Sequence, residues 1–352
     1  MKKKFMDSKL GKWIKRIVVI LIVLGLVVFG VFKLFDNKTN NVEKSSLETL
    51  EKLDGYYMEA TMEFFKGEET RTYNVKVSYS KDETDMFKVC MYDKGIEQEQ
   101  IIIKNKDGVF VLTPALNQVY KFKGDWPLNG HKPYLYQSMV ETIQGKCDIS
   151  KLDDGYLIVS TPEFKNMPSW ARQEMKMTKE YKPVWVHIYD NNNDVAVKIS
   201  FSKVEFNPSF SSDYFVVVDN MTQARENLSE TSSSTIYELP LYPVNSNVDS
   251  SLKEVSNITV NGTTQVMLTY SGQDNFTIIE NVIDSYETLT EIEVDGTVTN
   301  IYGIYGYYVS NENINKLYFT YNGVSYQIWS DSASVSTLIE VASGMEFVEE
   351  VK

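Results

Sequence analysis

The hydrophobic pattern changes character once, sharply, near the start of the chain. Residues 17–32 (IVVILIVLGLVVFGVF) form an unbroken apolar block, extended by Trp13 and Ile14 on one side and Leu34 and Phe35 on the other. As a helix, 13–35 would span about 34 Å, enough for a hydrocarbon core of roughly 30 Å. Lys15, Arg16 and Lys33 flank the block and can snorkel to the interfaces. The next residues, KLFDNKTNN, offer neither a small-x-small cleavage site nor a lipidation cysteine. The pattern therefore predicts a retained, single-pass transmembrane signal anchor over 13–35. The basic tail over 1–12 stays in the cytoplasm and the rest of the chain lies outside it.

Beyond a polar stalk at 36–44, the period shortens. Leu47, Leu50 and Leu53 make one stripe of a short helix, with Ser45 or Ser46 as its cap and Gly55 as its stop. Alternating apolar and polar residues then predict strands at 56–65, 70–79, 85–92, 98–104, 108–112 and 118–122, separated by turns such as KGEET and KNKDG. A helix is expected at 134–143, where Leu135, Met139, Val140 and Ile143 share a face. Strands resume at 156–160, 171–180, 184–189 and 195–206, the last two joined by the YDNNND hairpin. The polar run 219–235 reads as a linker between a first domain at 45–218 and a second at 236–352. In the second, strands are expected at 264–270, 276–282, 288–294, 300–309, 316–321 and 324–329. A last helix is expected at 334–342, stopped by Gly344. The fold class is mainly β (α+β).

Charge narrows the function. The net charge is −13, yet residues 1–33 carry eight basic side chains and one acid, leaving −20 on the remainder. An ectodomain that acidic repels nucleic acid and bare anionic headgroups. Its two cysteines, Cys90 and Cys147, could pair in an oxidising compartment or sit apart as small buried groups.

Catalytic groupings are missing. His131 and His187 are the two histidines, and neither HExxH, GxSxG nor a phosphate-cradling glycine loop occurs. Acidic pairs such as Asp153–Asp154 read as solvated turns, and NNNDV lacks the glycine and terminal glutamate of a calcium loop. No catalytic residue, metal ligand or cofactor is expected. What stands out is methionine and tryptophan in the first domain. Trp126, Tyr134, Met139, Trp170, Met175, Met177 and Trp185 are the candidate ligand- or partner-binding residues, because Met-rich, aromatic-lined surfaces adapt to varied apolar partners. The alternative is that the same side chains fill the core.

The stretch Asp107–Ile143 (DGVFVLTPALNQVYKFKGDWPLNGHKPYLYQSMVETI), with Thr113-Pro114, the Asn117 turn, Asp125-Trp126-Pro127 and Tyr134-Leu135, resembles a known family. So does the later segment 176–210, with its Lys-Pro break, hairpin and long strand ending near Asn207-Pro208. The resemblance, over about 45–218, is to the LolA-like lipoprotein-carrier fold, in the GerS-like sporulation and germination branch of Gram-positive bacteria. It implies an unclosed antiparallel β-barrel with helices on its concave side. In that family the groove holds acyl chains or, in other members, binds partner proteins. The C-terminal segment, with YNGVSYQIWS and its helix, resembles an uncharacterised domain at the ends of Gram-positive envelope proteins.

These readings together imply a non-enzymatic, membrane-anchored envelope protein that binds a partner, such as a cell-wall enzyme, or a lipid or lipoprotein ligand, in spore formation or germination. An envelope-stress or anti-sigma type sensor is the alternative, and a cell-envelope hydrolase a remoter one. A retained anchor argues against free shuttling between membranes.

Overall fold

The computed structural model describes residues 42–82, 84–124, 126, 130–228, 239–243, 248–260 and 262–345. The expected basic tail, the anchor at 13–35 and residues 36–41 of the stalk lie outside the described residues. Among the described residues, no helix is long and apolar enough to cross a membrane.

Helix α1 (42–51) begins inside the expected stalk, so Ser46 lies within it, fully buried, with its Oγ donating to Glu43 O at 2.9 Å. Six strands follow: β1 (Gly55–Lys66), β2 (Glu69–Ser80), β3 (Met86–Asp93), β4 (Gln98–Asn105), β5 (Gly108–Thr113) and β6 (Gln118–Phe122). After helix α2 (Tyr136–Gln144) come β7 (Cys147–Leu152), β8 (Gly155–Ser160), β9 (Trp170–Thr178), β10 (Pro183–Asp190) and β11 (Val195–Phe206). Alternation decides the faces. In β1, Tyr56, Met58, Ala60, Met62 and Phe64 are buried while the residues between them are half exposed.

Two meanders join through β1 and β11 into one twelve-stranded sheet, ordered β15-β6-β5-β4-β3-β2-β1-β11-β10-β9-β8-β7, where β15 is Thr290–Val294. Its ends, β15 and β7, do not pair, so the sheet is unclosed, as the resemblance implies. Consecutive strands β6 and β7 sit on opposite sides of the sheet. The chain between them, 123–146, must cross it, and α2 does so with Tyr136, Met139, Val140 and Ile143 buried against the inner face.

The other face carries Cys90, Ile101, Ile103, Phe110, Leu112 and Val119, which helix α3 (Val217–Glu226) covers with Met221 and Ala224. This corrects the expected linker at 219–235, whose residues 219–226 are helical. A polar solvent side hid two burying residues spaced i, i+3.

A second sheet of seven strands has the order β12-β13-β14-β19-β18-β17-β16. Its strands are β12 (Ser250–Val260), β13 (Thr263–Gly272), β14 (Phe276–Val282), β16 (Thr297–Ile301), β17 (Ile304–Ser310), β18 (Asn315–Tyr321) and β19 (Val324–Ser330). Helix α4 (Val335–Met345) packs on β16, β18 and β19. Ser334 caps it, accepting from Thr337 N at 3.1 Å, and Gly344 lies inside the helix rather than ending it. The strand expected at 300–309 is a hairpin instead, turning at Tyr302-Gly303. Gly303 has φ +107°, and a Cβ there would lie 2.3 Å from the Tyr73 ring, so the turn needs glycine twice over.

The segments expected to be separate domains share one core. Strand β15, from the second, pairs parallel with β6 of the first, Thr290 opposite Gln118. Tyr305 N donates to Gln100 Oε1 at 2.7 Å, and the hydroxyls of Tyr134 and Tyr305 lie 3.2 Å apart. Lys66 pairs with Glu340 at 3.3 Å and also reaches Ser343. The hairpin β16–β17 thus lies against the inner face of the large sheet, beside α2.

Candidate functional site

Between that hairpin and the large sheet is an apolar cavity of ≈ 80 Å³. Strands β1 and β11 supply Met62, Phe64 and Val197; the crossover to α2 supplies Trp126, His131 and Tyr134. The loop before β9 adds Phe164 and Met167, the start of β9 adds Trp170, and the second sheet closes the space with Val298 and Tyr305. The aromatic rings hold one another in place. Trp170 stacks on Phe64 at 6.4 Å and meets Phe164 edge-on at 5.3 Å and Tyr302 at 6.1 Å.

Lys132, Lys165, Asn166, Thr297, Thr299 and Asn300 add polar groups to the lining. The Trp126 indole N–H is buried and finds no hydrogen-bond partner among the described residues. His131 Nε2 lies 2.8 Å from Gln173 Oε1, and burial pushes the imidazole pKa down, which keeps the ring neutral at pH 7. Burial, with Lys165 nearby, lowers the Lys132 ammonium to about 8. A cavity of ~150 Å³ takes up a benzene-sized guest, so the space here suits one apolar side chain and not an extended acyl chain.

The predicted residues divide. Trp126, Tyr134 and Trp170 come together at the cavity. Met139, Met175 and Met177 are fully buried in the core and do not line it. Met58 and Met91 are buried as well, so most of these methionines pack the interior, and Met62 and Met167 are the ones that reach the cavity. Trp185 faces the opposite side of the sheet, its ring stacked at 4.3 Å on His187. The sequence reading missed Phe64, Phe164, Val298 and Tyr305. Only the tyrosine-dense run 302–308 (YGIYGYY) signalled that the second segment would matter.

Other reactive groups are quiet. Both cysteines are free thiols, and burial raises Cys90 to about 12 and Cys147 to about 11. Among the described residues, no three His, Cys, Asp or Glu side chains are grouped so as to hold a metal ion. Glu280 on β14 is buried, accepts from Leu241 N at 3.0 Å through Oε2 and leaves Oε1 unpartnered. Burial pushes its carboxyl up to about 7.

An unclosed, mostly antiparallel sheet crossed by a helix on its inner face is the arrangement that the LolA-like resemblance implies. The chain belongs to the YdcC-like sporulation protein family, whose pattern matches residues 14–215. Sporulation protein YdcC of Bacillus subtilis (strain 168) is 26% identical over 331 residues, covering 93% of this chain and 96% of that protein. Among solved structures, MucB is similar at a TM-score of 0.33 and 11% identity, over 86% of this chain and 97% of MucB. A LolA superfamily protein from Nitrosomonas europaea is similar at a TM-score of 0.27 and 11% identity, over 49% of this chain and 96% of its own.

Proposed function

We propose that this chain is a membrane-tethered, extracytoplasmic binding protein of the cell envelope, without catalysis of its own, that holds a partner protein during spore formation. An apolar side chain of the partner enters the cavity at Trp170, and an acceptor beside it takes the Trp126 N–H. The observation that carries this reading is the unpaired, buried indole donor in a cavity lined mainly by apolar and aromatic side chains, since such a donor costs about 1–3 kcal/mol unless something accepts from it. The second sheet's hairpin lying in the concave side favours a protein partner over a lipid cargo, because it leaves ≈ 80 Å³ free. The family's sporulation description supports the life-cycle stage, and the apolar run 17–32 supports the tether.

Affinity capture of the full-length chain from sporulating cells tests it. Val298→Phe fills the cavity, and recovery of the partner is expected to fall about tenfold, the equivalent of one displaced anchor contact. Trp185→Ala, on the outer face, is expected to leave recovery unchanged. Equal recovery of every protein by the wild type and Val298→Phe, with both variants folded, would reject the reading. So would turnover of peptidoglycan by the pure chain that a point mutation abolishes.

A further inference from the structure

A second opening lies between the two sheets and shares Tyr305 with the first cavity. It has ≈ 150 Å³ and seventeen lining residues, none of them charged. That is unusual in a chain whose residues are 24% charged.

The second sheet builds one wall from two cross-strand rows. In the first, Ile279 stands opposite Gln327, Gln327 opposite Tyr318, and Tyr318 opposite Tyr307. In the second, Asn281 stands opposite Ser325, and Ser325 opposite Thr320. The large sheet supplies the facing wall with Val111, Tyr120 and Phe122. Tyr307 and Tyr318 stack at 4.8 Å, and Tyr120 meets Tyr307 at 5.7 Å.

The amides of Gln265, Asn281 and Gln327 make no hydrogen bond to protein among the described residues, and all three side chains are half-buried. Their polar atoms stay open to solvent and are free to turn to a ligand in the slot. Each offers a donor pair beside an acceptor, a match for neighbouring hydroxyls on a ring. Tyrosine faces cover the C–H face of such a ring, and their hydroxyls reach its edge. The lack of charge argues against phosphate, carboxylate and lipid headgroups, which need a cation to offset desolvation. A volume of ≈ 150 Å³ accommodates one six-membered ring, the remainder of a chain lying outside the mouth.

We infer that this slot binds a neutral saccharide, taking one pyranose unit between Tyr307, Tyr318 and the amides of Asn281 and Gln327. The site shares Tyr305 with the cavity at Trp170, but its amide and tyrosine residues are its own and it does not depend on a partner there.

The test uses the full-length chain in lipid nanodiscs, because sugar-headed detergents would compete. Isothermal titration calorimetry with the N-acetylglucosamine tetramer and with maltotetraose is expected to show binding of at least one, with a Kd below about 1 mM. The affinity is expected to be unchanged by high salt, since no charge is involved. Tyr318→Ala and Gln327→Leu are expected to weaken it tenfold or more, and Trp185→Ala, on the outer face of the large sheet, to leave it intact. If Tyr318→Ala unfolds the chain, Gln327→Leu and Asn281→Leu, which keep side-chain volume, carry the comparison. No binding of either oligosaccharide, binding lost in salt, or binding untouched by the amide variants would overturn the inference.

Discussion

Arg71→Ala is expected to lower the unfolding free energy by about 3–5 kcal/mol, the cost of stranding a buried charge. Arg71 and Asp93 are 8% and 5% exposed, and their charged groups lie 3.5 Å apart. Asp93 Oδ1 accepts from Gly95 N at 2.7 Å, which fixes the carboxylate and leaves the guanidinium to meet its charge. The same guanidinium sits 4.1 Å over the Tyr321 ring of β18 and donates to the Tyr73 hydroxyl at 3.2 Å. One side chain thus joins β2, β3 and the second sheet. Denaturant unfolding of Arg71→Ala, Asp93→Ala and the double variant checks this. The double variant should be less destabilised than the two single losses added together. Additive losses would mean that the pair does not act as one unit.

Glu280→Gln is expected to do the opposite, raising stability by about 2–3 kcal/mol at about pH 8 while changing little at about pH 4. The sign follows from the raised carboxyl. Burial holds it at about 7, above its unfolded value, so the folded chain keeps a proton that the unfolded chain has already lost. Stability is therefore fully present below the unfolded pKa and falls as pH rises toward about 7. Tyr270 lies near this carboxyl, and the one group that favours its charged form is the Leu241 N–H, so no cation offsets ionisation. Glutamine keeps the acceptor for Leu241 N and cannot ionise. Thermal unfolding across this pH range should show the wild-type curve falling and the Glu280→Gln curve level. Parallel curves would show that Glu280 is not the responsible group.

Much of this fold could be read from period-two alternation. β1 to β6 and β8 to β11 fall within two residues of their expected bounds, because each buries one face against a continuous core. β7 (CDISKL) and β12 (SSLKEVSNITV) escaped because they are edge strands with few buried residues. The hairpin at Tyr302-Gly303 read as one strand because apolar and aromatic residues continue through the turn. The binding site was half legible. Trp126, Tyr134 and Trp170 declared themselves as large aromatics in a first segment rich in methionine and tryptophan. Val298 and Tyr305 did not, since nothing local indicates that a hairpin some 170 residues downstream of Tyr134 will pack against it. Periodicity shows which face of a strand is buried, and not which distant strand buries it. For the same reason Met139, Met175 and Met177 looked like a binding surface until the second sheet and α2 were seen to leave them no solvent.

The chain's own hairpin and α2 occupy the concave side, which under the proposed function leaves room at Trp170 for a partner's side chain and not for a lipid cargo. Native mass spectrometry of the ectodomain, cleaved from its own membranes ahead of residue 42, tests it most directly. The account predicts the mass of the polypeptide without lipid, alone or with a bound protein. A stoichiometric lipid on the released ectodomain, displaced by Val298→Phe, would contradict it.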